Sequence, residues 1–345
     1  MTARKSIGLA LSATLAAAVL ITGTAIAAKG KASPITIDRM GSFATGGAVL
    51  GEPGKNSLSC DQGYVEFKVP ARARKTNLWL WHSSSTHVWE ARWDGGEGYE
   101  SLMLRRGYPV YKWDGPRVGR GTMSCEPTSY TPAMGQDERN HVAWRFGPEV
   151  GKWFEGIQFP TGDAGAYEQA MRARYVEWDV ARNAHLEGET AATALDRIGP
   201  TVILTNSAGD WRAMLAAMAS KTDNVRGLVA YEPAAFVFPE GEGPSGPETG
   251  FGPTHVPLEQ FRKLTRFPIQ IVWGDYTGQT YWKSNVEVSR QFAALVNKYG
   301  GKAEVLMLPD AGLKGNSHIP FADLNNAQVA AQLDLFMRKN GLDKR

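Results

Sequence analysis

Cysteine is scarce in this chain, with only Cys60 and Cys125 among 345 residues. Neither lies in a Cys-x-x-Cys spacing, and the six histidines include no His-x-x-x-His pair. The spacings that hold zinc are therefore missing, and neither a metal nor a cofactor is expected. Charge of one sign is lacking too. The formal net charge is +3, too small to argue for nucleic acid or for an anionic membrane as partner. Internal repeats are absent, and "PEGEGPSGPETGFGP" is the one low-complexity tract. Long apolar runs are missing after the first residues, so no later segment is expected to span a bilayer.

The one long apolar run is "IGLALSATLAAAVLITG". Arg4 and Lys5 precede it, and Ala25-Ile26-Ala27 follows as a small-x-small cleavage site. Residues 1–27 read as a signal peptide. The alternative is an uncleaved anchor, which the alanine-rich run and the cleavage site disfavour. The expected product is a secreted or periplasmic chain with no stable membrane anchor after cleavage. Export brings oxidising conditions, so Cys60 and Cys125 have the chance to form one disulfide. Spacing along the chain does not decide whether they meet.

With 43% hydrophobic residues and 38 glycines, the chain can build one sizeable core. Residues 28–60 are polar, glycine-rich and without period. "GYVEFKVP", "NLWLWH" and "YPVYKWD" then read as strands, and "GYESLMLRRG" reads as a helix. "PRVGRGTMSCEPTSYTPAMG" reads as loop, and residues 166–199 read as helices. From "TVILT" onward, apolar strands alternate with amphipathic helices through "VRGLVAYE", "PIQIVWGD" and "KAEVLMLP". That alternation predicts an α/β fold: a mostly parallel central sheet with helices on both faces. In such folds ligands sit beyond the carboxyl ends of the strands.

At one such end, "TVILT" passes through Asn206-Ser207-Ala208-Gly209 into the helix "DWRAMLAAMAS". A sharp strand-to-helix turn with small flanking residues can hold a serine hydroxyl above the sheet edge. Thr205 stands where that Gly-x-Ser-x-Gly pattern has its first glycine. Read alone, Ser207 is equally well a helix N-cap. A nucleophilic serine needs an imidazole base, and His318 lies in a loop after the last strand, in "PDAGLKGNSHIPF". An acid must orient that imidazole. Glu232 and Asp275 both close apolar strands, and both give the chain order Ser–acid–His. An oxyanion hole needs two backbone N–H groups. Ala208 supplies one, and Ser83 or Ser84, in the turn after "NLWLWH", supplies the other.

These residues, with "LWLWHSSSTHVWEARWDGGEGYESLMLRRGYPVYKWDGPRVGRG", "SCDQGYVEFKVP" and "KGNSHIPFADLNN", resemble the α/β-hydrolase superfamily. They are similar in particular to exported bacterial esterases of the esterase 713-like group. The resemblance implies an α/β-hydrolase domain over residues 28–345, with a helical cap inserted at about 122–199 and a flap at about 236–257. It implies an acid after the sixth strand, which selects Glu232, with Asp275 as the alternative. The implied activity is a serine hydrolase that cleaves a small-molecule carboxylic ester through an acyl-enzyme on Ser207. Two readings stand beside it. One is a binding protein on the same scaffold, favoured by the His-Ser-Ser-Ser run where the family has glycines. The other is a hydrolase of a lactone, amide or carbon–carbon bond. A homodimer remains open as the assembly.

Overall fold

The computed structural model describes residues 33–82, 85–178 and 180–345. The segment read as a signal peptide lies outside the described residues, and so do Ser83 and Ser84. From Ile35 to Arg345 the chain forms one compact unit.

Its centre is an eight-stranded sheet. In chain order the strands are β1 (Ile37–Thr45), β2 (Gly63–Pro70), β3 (Asn77–His82), β4 (Val110–Asp114), β5 (Thr201–Asn206), β6 (Val225–Tyr231), β7 (Pro268–Trp273) and β8 (Lys302–Met307). Their spatial order is β1-β2-β4-β3-β5-β6-β7-β8. The β2 strand pairs antiparallel with both neighbours, and the ladders from β4 to β8 are parallel.

Alternation along the strands sorts the core into two layers. Trp79 and Trp81 of β3, Ile203 of β5, Leu228 and Ala230 of β6 and Ile269 and Ile271 of β7 face one side. There they meet the helices Ala181–Ile198, Gly209–Ala219 and Trp282–Lys298. Leu78, Leu80, Val202, Leu204, Val229 and Val272 face the other side, under Tyr99–Arg105, Ala164–Arg172 and Asn326–Lys339. Both faces are covered, which is why the central strands read as unbroken apolar runs. Each fully buried Val, Leu or Ile among them stabilises the fold by roughly 1.5–3 kcal/mol.

Two elements depart from the sequence expectation. The segment 28–60 contains a nine-residue strand, β1, and an antiparallel ribbon of Ala48–Leu50 with Leu58–Cys60. β1 is an edge strand in which Ile37 and Phe43 are half-buried while Met40 is 73% exposed, so its apolar period is weak. Residues 173–178 and 180 are not helical, and the helices described in the expected stretch are Ala164–Arg172 and Ala181–Ile198. Ala181–Ile198 covers the sheet beside Gly209–Ala219, with Ala184, Ala191 and Leu195 in the core. The segment 236–257 holds a short parallel pair, Val237–Pro239 with Thr254–Val256. Cys60 and Cys125 are joined in a disulfide. It ties the ribbon before β2 to the segment after β4. Among the described residues no helix is long and apolar enough to cross a membrane, and no cluster of side chains is suited to a metal.

Candidate active site

Ser207 follows the last residue of β5, and its backbone is left-handed, with φ +58°. That region costs a non-glycine residue on the order of 1–3 kcal/mol and persists only where the surroundings over-determine it. Three backbone bonds do so here. Ser207 N–H donates to Tyr231 O at 3.1 Å, and Ser207 O accepts from Asp210 N–H and Ala234 N–H, each at 3.2 Å. From residue 201 to 218, Ser207 alone is not buried. The turn thus lifts one hydroxyl out of an otherwise closed core. Ala208, 1% exposed, is the N-cap of Gly209–Ala219. Amides at a helix start have no intrahelical acceptor, which suits them to an anionic oxygen.

Thr205 has a partner that accounts for its departure from glycine. Its hydroxyl donates to Asp210 Oδ1 at 2.9 Å, inside the core. Burial drives the Asp210 carboxyl well above its ordinary value, against the pull of that bond. Burial thus favours the neutral form of Asp210 beneath the turn.

Asn206 gathers the surrounding strand ends. Its Nδ2 donates to Tyr231 O at the end of β6 and to His318 O, both at 3.0 Å. It also bonds the His82 side chain, which stands opposite it in the β3–β5 register. Burial, then the nearby His318, lowers the His82 pKa to about 3 despite the Asn206 bond, so His82 is neutral. The residue before Ser207 therefore fixes the loop that carries His318.

His318 is 1% exposed. Its ring stacks on Trp282 with centroids 4.6 Å apart, and its N–H donates to Trp144 O at 2.9 Å. Asp323 holds the two preceding residues, accepting from Ser317 N–H at 2.7 Å, Ser317 Oγ at 2.9 Å and Asn316 Nδ2 at 3.1 Å. Burial raises the Asp323 carboxyl to about 7 against these donors.

Of the two candidate acids, Glu232 is the one brought to the imidazole. Its Oε2 lies 3.5 Å from His318 Nδ1, longer than a formed hydrogen bond. Such contacts often tighten only when substrate is bound. Glu232 also has left-handed backbone, φ +58°, and its side chain is fully buried. Oε1 accepts from Gly274 N–H and from Arg145 Nη2, the latter at 2.5 Å. Burial alone would raise this carboxyl. The Arg145 charge and the contact with His318 outweigh it and hold the group below its ordinary value. His318 is lowered by burial, with Glu232 pulling the other way. Asp275 is occupied elsewhere. Its Oδ1 accepts from Tyr276 N–H at 2.8 Å and its Oδ2 from Gly315 N–H at 2.9 Å. It stiffens the loop that carries His318 without facing the ring.

A turn after β5, an acid after β6 and a histidine after β8, on a sheet ordered β1-β2-β4-β3-β5-β6-β7-β8, define one architecture. The chain has the α/β-hydrolase fold. A solved structure described as a novel bacterial esterase superposes with a TM-score of 0.75 at 24% identity, covering 91% of this chain and 99% of that one. A probable secreted lipase, phiG, from Fungal sp. (strain ATCC 74256), is 24% identical over 304 residues, 73% of this chain and 78% of the lipase. No protein-family model matches the chain.

Within this α/β-hydrolase fold, Arg145, Asp323 and Trp282 support the site, and no role was read for them in the sequence. Arg145 sits in an aperiodic stretch, and Asp323 lies five residues beyond His318, in the segment "KGNSHIPFADLNN". Trp89 is buried core, stacked on Phe321 with ring centroids 3.8 Å apart.

Proposed function

We propose that this protein is an exported serine hydrolase that cleaves a carboxylic ester of a small molecule. Ser207 attacks the carbonyl carbon. His318 takes the hydroxyl proton and returns it to the leaving alcohol. Glu232 holds the imidazole in the tautomer with Nδ1–H and balances the imidazolium. The N–H of Ala208, with that of Ser83 or Ser84, stabilises the oxyanion. Water, deprotonated by His318, then releases the acid and restores Ser207.

The observation that carries this reading is the buried Glu232–His318 pair, tied through Asn206 to the one accessible residue of the β5 turn. Likeness to an esterase structure and to a probable secreted lipase supports the hydrolase class. The lipase's description as secreted supports export by residues 1–27. Residues 122–180 are assigned as the cap over the strand ends and 236–257 as the flap. The helix Ala181–Ile198 is left out of that cap because it packs into the core layer.

The test is labelling by a fluorophosphonate in folded wild-type protein and in Ser207→Ala. The expected outcome is a stoichiometric adduct on Ser207 and none in the variant. An unlabelled wild type would favour the binding-protein reading. Turnover of p-nitrophenyl esters in preference to lactones and amides would fix the bond class.

A further inference from the structure

We infer that residues Ala143, Trp144 and Arg145, inserted between β4 and β5, are a positioning element for the acid and the imidazole, with Arg145 as the positioning residue of Glu232. This inference rests on the proposed function. The three residues are consecutive, and each bonds a different part of the site. Ala143 O accepts from Trp282 Nε1 at 2.7 Å, and the Trp282 ring is the one stacked on His318. Trp144 O accepts from His318 N–H. Arg145 Nη2 donates to Glu232 Oε1, and Arg145 Nε donates to Asp275 O at 2.9 Å.

Arg145 is fully buried, with φ +56°. A guanidinium removed from water is costly unless its partner is fixed, and this one is fixed against the carboxylate that faces the imidazole. One oxygen of Glu232 is thereby taken by Arg145 and Gly274, which leaves Oε2 for His318 Nδ1. The geometry defines which lone pair the imidazole sees. It also keeps the carboxylate ionised in a site that otherwise favours the neutral acid. The titratable and charged groups around this pair are Arg145, His318, His82, Asp210, Asp323 and Tyr281. Arg145 is the one guanidinium among them, and its planar fork is the group that fits a fixed carboxylate. The insertion thus does more than cover the site: part of it completes the site.

The experiment compares Arg145→Met, Arg145→Lys, Glu232→Gln and the double variant Arg145→Met/Glu232→Gln with wild type. Ester turnover is followed as a function of pH, together with the Nδ1–H proton resonance of His318. In Arg145→Met, kcat falls by about 100-fold while KM stays close to wild type, as expected for misplacement of a catalytic group rather than loss of substrate binding. The acid limb of kcat moves up by about one pH unit, because the Arg145 charge that disfavours protonation of both His318 and Glu232 is gone. Arg145→Lys recovers part of both effects. The Nδ1–H resonance weakens in Arg145→Met and returns in Arg145→Lys. In the Glu232→Gln background, Arg145→Met costs little further activity, since the group it positions is gone.

A rise in KM alone, an unmoved acid limb, or an equal loss in both backgrounds would overturn the inference. Should Arg145→Met not fold, Glu232→Gln against the double variant, with both buried charges removed, decides it. A further loss of about tenfold or more there also overturns it. If wild type turns over no ester, the proposed function fails by itself, and the His318 resonance still reports whether Arg145 positions the pair.

Discussion

Glu232 Oε2 faces His318 Nδ1 across 3.5 Å inside the core, although Asp275, one strand further along, closes a similar apolar strand. The difference lies in what each carboxylate already holds. Asp275 spends both oxygens on backbone N–H groups, while Glu232 spends one on Arg145 and Gly274 and aims the other at the ring. Glu232→Gln should therefore lower kcat by about 10³–10⁴-fold, the scale seen when a triad acid is made neutral. Asp275→Asn should lower it by less than about tenfold, because asparagine keeps one acceptor for Gly315 N–H. Steady-state kinetics on a p-nitrophenyl ester checks the ranking, and the reverse order would move the acid to the turn after β7.

The pH profile follows from the burial of His318. Burial disfavours the imidazolium, and the attraction of Glu232 only partly offsets this, so the net shift is downward. The base is needed neutral. The acid limb of kcat/KM should therefore lie below the ordinary histidine value of about 6.5. In Glu232→Gln the offsetting attraction is lost, so the residual activity should show its acid limb at still lower pH. A rise of that limb in the variant would mean that Glu232 does not stabilise the charged ring.

How far the site was legible in sequence depends on how local its causes are. The Ser207 turn was readable because an apolar strand, two small residues and an amphipathic helix follow one another directly. The parallel strands were readable because burial on both faces leaves unbroken apolar runs. Glu232 and Asp275 could not be separated from the residues alone, since both are acids closing apolar strands. What distinguishes them is Arg145, which lies 87 residues from Glu232 in a stretch without period. β1 was missed for the opposite reason: in this edge strand the partly buried positions Ile37, Gly41, Phe43 and Thr45 include only two large apolar side chains, too few to leave a pattern. Thr205, which looked like a departure at the turn, is explained only by the bond to Asp210 that folding creates.

The disulfide between Cys60 and Cys125 closes a separation of 65 residues. By the loop-closure relation such a cross-link is worth about 4 kcal/mol, with measured cases spanning roughly 0–5. Cys60→Ser/Cys125→Ser should lower the urea midpoint by an amount equivalent to about 2–4 kcal/mol, and dithiothreitol should bring wild type to the same value. Asp61, next to Cys60, accepts from Cys125 N–H and from Arg117 Nε and Nη2. Those bonds keep the ends of the link close together, so the variant should remain folded at neutral pH. Equal midpoints for wild type and variant would show that the link adds nothing to folded-state stability.

Acid should weaken the fold at the β2–β4 edge. Lys112, 3% exposed on its side chain, lies among Glu66 at 3.1 Å, Glu100 at 3.4 Å and Glu90, while Arg120 bonds Glu66 and Asp114. For Glu66, burial works against ionisation, but the Lys112 charge and the Arg120 bond prevail and bring its pKa down to about 2 from 4.5. A carboxyl depressed in the folded state contributes stability that is complete above its unfolded value and is lost as pH falls toward the folded one. That window runs from about 4.5 down to about 2 for Glu66. Urea midpoints for wild type should be flat near neutrality and then fall through this range. Glu66→Gln should start lower at pH 7 and fall less steeply, with the two curves converging near pH 2, where the wild-type carboxyl has also taken up its proton. Parallel curves with a constant gap would mean that Glu66 acts through packing alone.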